Sequence, residues 1–185
     1  MKVKNKKKLD SSVFSYSNKL IRLVWALVYF FLFKFSPIPF FRFRRFILRC
    51  FGAKIGRNVN IYPTVKVWLP SNLSILDNST LGPNVIIYNQ GDITIGRRVI
   101  VSQGAHLCAS THDYNDPLHP LLLAPIIVSN DVWICAEAFV GPNVEIAEGC
   151  VIGARAVLTK NTEAWTVYSG NPAKGIKKRA WISNK

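Results

Sequence analysis

The stretch Val128-Ser-Asn-Asp-Val-Trp, Ile134-Cys-Ala-Glu-Ala-Phe, Val140-Gly-Pro-Asn-Val-Glu, Ile146-Ala-Glu-Gly-Cys-Val, Ile152-Gly-Ala-Arg-Ala-Val, Leu158 returns to an aliphatic side chain every six residues. Gly141, Ala147 and Gly153 stand at the second place of their units. The fifth place is always small or short: Val132, Ala138, Val144, Cys150, Ala156. A helix repeats near 3.6 residues and a half-buried strand at 2, so neither explains a period of six. A hexapeptide period is the mark of a parallel β-helix, in which each unit is a short strand plus a turn and three units close a triangular coil. The first residue points into the prism and the fifth relieves crowding near the corner. Stacked coils bury one continuous core and pair their backbones with the coils above and below.

The pattern extends backwards. Ile55, Ile61, Val67 and Leu73 form one run, Ile75, Leu81, Ile87 and Ile93 a second, and Ile95, Val101 and Leu107 a third. The register slips by two residues between runs, which predicts small bulges or turn insertions. The expected fold is all-β: a left-handed parallel β-helix over residues 55–168, with a loop inserted at 110–125. An N-terminal helical arm (1–54) precedes it and a basic C-terminal tail (169–185) follows.

The inserted loop, Ser110-Thr-His-Asp-Tyr-Asn-Asp-Pro-Leu-His-Pro-Leu-Leu-Leu-Ala-Pro125, carries two of the chain's three histidines, with His106 just before it. Loops held by a rigid scaffold are where chemistry concentrates. His112 follows closely on the coil ending at Leu107, so it is expected at the root of the loop, near the prism wall. Three converging histidines are the minimum for a zinc site of the β-helix kind, and no histidine lies outside residues 106–119, so no metal is expected. Cys50, Cys108, Cys135 and Cys150 form no CxxC pair and read as reduced packing residues.

Charge is unevenly placed. Residues 1–54 hold thirteen Lys/Arg against Asp10 alone, a local charge of +12, whereas residues 55–185 carry only +2 of the total +14. Leu23 to Phe33 is apolar, bracketed by Arg22 and Lys34, and too short to span a bilayer alone. Ser36-Pro-Ile-Pro39 breaks it, and Phe40 to Phe51 mixes aromatics with Arg42, Arg44, Arg45 and Arg49. Aromatic bodies with snorkelling arginines suit a headgroup interface, so residues 1–51 are expected to contact a membrane peripherally. The alternative is packing on the prism or on a neighbouring subunit. The apolar content argues against nucleic acid as the partner.

Certain segments make a resemblance specific: Arg45-Phe-Ile-Leu-Arg-Cys-Phe-Gly-Ala-Lys-Ile-Gly56, Ser110-Thr-His-Asp-Tyr114, Asp131-Val-Trp-Ile134, Val140-Gly-Pro-Asn-Val144, Ile152-Gly-Ala-Arg-Ala-Val-Leu-Thr-Lys160 and Gly170-Asn-Pro-Ala-Lys174. In this order they resemble the hexapeptide-repeat acetyltransferases of the galactoside, maltose and nodulation branch, and most closely the colanic acid biosynthesis acetyltransferases. The resemblance covers nearly the whole chain. It implies a homotrimer with active sites between neighbouring prisms and acetyl-CoA as co-substrate; the reduced cysteines and the basic arm lead us to expect a cytoplasmic location at the inner face of the membrane. It implies His112 as general base, pantetheine against Trp133, Ala136 and Ala154, and CoA phosphates near Thr159, Lys160 and Lys174. Asn89 and Asp113 are the candidate acceptor contacts. The implied activity is O-acetylation of a sugar hydroxyl in a surface-polysaccharide precursor, free or lipid-linked. N-acetylation of an amino sugar is one alternative, and a non-catalytic β-helix scaffold is another. Ser129 departs from the glycine usual in the hexad before Trp133. Lys177, Lys178 and Arg179, taken alone, read as a solvated tail.

Overall fold

The computed structural model describes residues 15–180. The basic run Met1–Lys8 lies outside the described residues. From Lys54 onward the chain winds into a left-handed triangular prism. Its first face holds the strands Lys54–Ile55, Leu73–Ile75, Ile93–Ile95, Ile126–Val128 and Glu145–Ile146. The second begins with Asn60–Ile61 and passes through Thr80–Leu81, Ile100–Val101, Trp133–Ile134 and Val151–Ile152 to Thr166–Ser169 and Lys174–Lys178. The third stacks Lys66–Val67, Ile86–Tyr88, His106–Cys108, Phe139–Val140 and Val157–Leu158.

First-place residues Ile61, Leu81, Val101, Ile134 and Ile152 are buried one above another, and fifth-place Val132, Ala138, Val144, Cys150 and Ala156, which follow one another around the prism, are buried too. The fourth place has its own rule, which the sequence reading missed. Asn58, Asn78, Asn84, Asp131, Asn143 and Gly149 sit there with positive φ, the left-handed turn that lets two-residue strands meet at a corner. Second-place glycine answers to stacking: a Cβ on Gly96 would lie 2.7 Å from the Ser129 carbonyl carbon in the coil above.

The two-residue slip has one physical source. Stacked partners are 20 residues apart in the early coils, as Asn60 and Thr80 illustrate, and 18 apart in the late ones, as Glu137 and Arg155 illustrate. The surplus lies where the third face turns back to the first, after Val67 and again after Ile87. The same corner of the next coil carries the long insertion. That insertion is a β-hairpin of Ser110–His112 against Leu121–Leu123, with His112 opposite Leu121.

The prism has two raw ends, because a coil pairs only with its neighbours and its outermost backbone groups face outward. At the bottom the N-terminal arm supplies the partners. Helix α1 (Tyr16–Val28) continues through a π-helical turn (Tyr29–Phe33), and α2 (Phe41–Cys50) follows. Trp25 Nε1 donates to the Val67 carbonyl at 2.8 Å. Arg49 Nη2 reaches the Ile55 carbonyl at 2.6 Å, Arg45 the Val59 carbonyl at 2.8 Å, and Arg44 Nε the Ile61 carbonyl. This corrects the headgroup role expected for the α2 arginines: three of the four cap the first coil, and Arg44 is fully buried. Trp25, Phe33, Ile47 and Leu48 are buried beneath the arm, each worth about 1.5–3 kcal/mol relative to exposure.

At the top, Lys174–Lys178 pairs antiparallel with Thr166–Ser169, so the expected free tail is a capping hairpin as far as Lys178. Arg179 Nη1 donates to the Asp131 and Gly149 carbonyls, and Lys178 Nζ lies 3.3 Å from Glu163. Neither side chain is a merely solvated charge.

Candidate active site

His112 stands on the exposed side of the hairpin, and its Nδ1 lies 2.6 Å from the His119 carbonyl oxygen. A carbonyl only accepts, so Nδ1 carries the proton and Nε2 presents a lone pair outward. The geometry at His119 is held locally. Its φ is 43°, its N–H donates to the Asp116 carbonyl at 2.8 Å, and the Asp113 N–H donates to the Pro120 carbonyl at 3.0 Å. Asp113 Oδ1 accepts from the Asn115 N–H at 3.2 Å, an Asx turn that shapes the hairpin tip. The orienter of His112 is thus a backbone carbonyl seven residues on, which no motif in the sequence discloses.

Trp133 projects from the second face, 44% exposed, with Nε1 donating to Ser102 Oγ at 2.9 Å. Ala136 and Ala154 occupy the corner between the second and third faces, one coil apart and bridged by the Arg155 N–H to the Ala136 carbonyl at 2.9 Å. Among the described residues the N–H groups of Ala136 and Ala154 have no partner. They leave two donors on a strip of small side chains. Arg155, beside this strip, is paired with Glu137 at 2.6 Å. Directly above, Gly170–Ala173 closes the third face through Val157 N–H to Gly170 O and Ala173 N–H to Val157 O, and Lys174 is exposed just beyond.

Thr159 and Lys160 follow Leu158 at the other corner, between the third and first faces, which is also the corner that bears the hairpin of His112. One prism therefore divides the site. His112, Thr159 and Lys160 share one corner. Ala136, Ala154 and Lys174 share the next, and Trp133 stands on the face leading to it.

Asn89 requires correction as an acceptor contact. It has no exposed surface. Its Oδ1 accepts from the Trp68 and Leu69 N–H groups, each at 3.1 Å, and its Nδ2 donates to the Leu69 carbonyl at 2.6 Å. The side chain splints the two-residue corner insertions, and its amide has no room for a sugar. The outer aromatic row of the third face was also missed: Trp68, Tyr88, His106 and Phe139 contact one another in succession up the prism. Burial lowers the pKa of His106, whose Nε2 is buried without a partner. Among the described residues no three His, Cys, Asp or Glu side chains gather as a metal site. The four cysteines are free thiols.

A coil of stacked hexapeptides with a histidine-bearing hairpin and a strip of small residues along one corner defines a left-handed β-helix acyltransferase. Residues 125–160 match the family model for bacterial transferase hexapeptide (six repeats). A protein of Escherichia coli strain K12 named as a colanic acid biosynthesis acetyltransferase, WcaF, is 40% identical over 159 residues, covering 86% of this chain and 87% of that protein. A maltose O-acetyltransferase from Clostridium difficile 630 superimposes with a TM-score of 0.83 at 22% identity, over 95% of this chain and 94% of the other. A hexapeptide-repeat acetyltransferase from Vibrio cholerae O1, solved with acetyl coenzyme A, gives 0.82 at 19% identity, over 93% of each chain. The two structural likenesses establish the fold. The sequence likeness establishes kinship, and the chain belongs to the hexapeptide-repeat acetyltransferases, in the group that contains WcaF.

Proposed function

We propose that the protein transfers the acetyl group of acetyl-CoA to a hydroxyl of a sugar destined for a surface polysaccharide, working as a homotrimer in the cytoplasm. The observation that carries this reading is the His112–His119 hydrogen bond, which holds a proton on Nδ1 and makes Nε2 the nitrogen that can accept one. A sugar hydroxyl is a poor nucleophile near neutral pH. His112 Nε2 takes its proton as the oxygen attacks the thioester carbonyl. The tetrahedral oxyanion collapses, the carbon–sulfur bond breaks, and the imidazolium returns the proton to the departing thiolate. The N–H groups of Ala136 and Ala154 suit the pantetheine carbonyls or the oxyanion, and Lys174, Lys160 and Thr159 suit the CoA phosphates. The division of these residues between two corners supports a site completed by a second prism. In it the His112 corner of one subunit faces the alanine corner of its neighbour, as a closed three-fold ring allows. Asp113, next to His112 in the hairpin, is our candidate for the acceptor contact. The WcaF relative's name and the maltose O-acetyltransferase fold favour a sugar acceptor, free or lipid-linked.

The test is to incubate the protein with acetyl-CoA and a panel of sugars, amino sugars and lipid-linked oligosaccharides, and to challenge the products with hydroxylamine. A hydroxylamine-labile acetyl ester is expected. A product formed only on amino sugars and stable to hydroxylamine would show N-acetylation instead.

A further inference from the structure

Helix α1 and its π-helical extension have two apolar faces, and docking on the prism uses only one. Trp25 and Phe33 are buried against it. On the opposite side Leu20, Leu27 and Phe31 are 62%, 53% and 67% exposed, and on α2 Phe46 is 63% exposed. A monomeric soluble surface rarely leaves so much contiguous apolar area uncovered. Residues 16–50 also carry seven Lys/Arg and no Asp or Glu.

At the root of this arm, between α1 and the third face, lies a cleft of about 450 Å³. Its cations are Lys19, Arg22 and Lys66, its aromatic walls are Trp25, Tyr29 and Trp68, and among the described residues no acidic side chain lines it. The Arg22 guanidinium is held 4.1 Å from the Trp68 ring centroid. Among the described residues no hydrogen bond or ion pair engages the side-chain nitrogens of these three cations. Three unneutralised cations with aromatic walls make a site for a phosphate borne on an apolar body.

We propose that this cleft binds the phosphate of a bilayer lipid headgroup, and that it is engaged when the outer face of the arm lies on an anionic membrane. Charge selects this occupant over a second copy of the arm, which would set like charges together. Geometry selects lying over crossing. Tyr16–Phe33 is 18 residues long and apolar enough to span, yet the Trp25–Val67 hydrogen bond and buried Phe33 bind it along its length to the prism. The proposal does not depend on acetyl transfer.

The test is flotation of the full chain with vesicles of phosphatidylglycerol and phosphatidylcholine, and with phosphatidylcholine alone. Binding to the anionic vesicles is expected. Arg22→Gln with Lys66→Gln should weaken it about 30-fold, taking about 1 kcal/mol for each basic residue near such a surface. Lys66→Gln alone, a change on the prism that leaves the arm's packing intact, should weaken it about fivefold. Leu27→Glu with Phe31→Glu should abolish it. Arg57→Gln with Arg97→Gln, which removes the same charge from distant turns, should leave it within twofold. Equal losses in the cleft pair and the distant pair would overturn the site. So would binding of inorganic pyrophosphate, abolished by the cleft pair, in a chain that ignores vesicles. Self-association driven by the outer face without vesicle binding would assign that face to a second copy and also overturn it.

Discussion

His112 Nδ1 and the carbonyl oxygen of His119 are 2.6 Å apart, so seven residues of hairpin serve to fix one tautomer. The side chain of His119 is exposed and takes no part in this, while its backbone at φ 43° does. His119→Asn, which tolerates the left-handed region, is expected to keep turnover within about twofold. His119→Pro forces φ to about −65°, removes the N–H bonded to Asp116 and swings the carbonyl away. It should lower kcat at least tenfold, toward the ~100-fold that a general base commands, with KM for acetyl-CoA unchanged. Steady-state kinetics on both variants decide this.

Asn89→Ala should act on stability and not on the acceptor. It strands the buried Leu69 N–H, while the Trp68 N–H keeps the Ile87 carbonyl and the Leu69 carbonyl keeps the Asn72 N–H. A loss of about 1–3 kcal/mol is expected in urea unfolding. KM for the sugar should stay within twofold among the molecules that remain folded. A rise in that KM without loss of stability would restore Asn89 to the acceptor site.

Arg44→Met keeps the volume of a buried side chain and removes its donors. The Ile61 and Ile38 carbonyls lose their partner, while the Pro37 carbonyl keeps the Phe40 N–H and Ser36 Oγ keeps the Phe33 carbonyl. Unfolding experiments should show a cost of about 3 kcal/mol, and the arm should become the first site of proteolysis. Arg42→Met, on the exposed side of α2, serves as the control and should cost under 0.5 kcal/mol.

The hexad pattern made the prism legible because an aliphatic wall every six residues has only one stacked solution. The two-residue slip announced the corner insertions. The fate of the charged ends was not legible. Arg44, Arg45 and Arg49 look like snorkelling cations in a one-dimensional reading, and only stacking reveals that the first coil offers them unpaired carbonyls. His112 could be found from its loop, but the His119 carbonyl that orients it has no side-chain signature. The separation of Ala154 from Lys160 onto different corners follows from the winding, which a linear motif conceals.

Burial holds the pKa of His106 below its ordinary value, so the folded state resists its protonation. The unfolded chain binds that proton more readily. The contribution is therefore fully present above the unfolded pKa near 6.5 and is lost as pH falls from there toward the folded pKa. Thermal melts from pH 7.5 down to pH 5 should show the wild type losing stability. His106→Phe, which keeps the contacts with Tyr88 and Phe139, should lose less over the same window. Parallel slopes would remove His106 as the cause.

The most direct test of the account is the single-turnover rate of acetyl transfer by His112→Ala, measured beside its affinity for CoA. The side chain is exposed on a hairpin outside the core, so the substitution should leave the fold and CoA binding unchanged. The chemical step should slow by about 100- to 10,000-fold. A variant that binds CoA normally and still acetylates the true acceptor at the wild-type rate would contradict the assignment of His112 as the base.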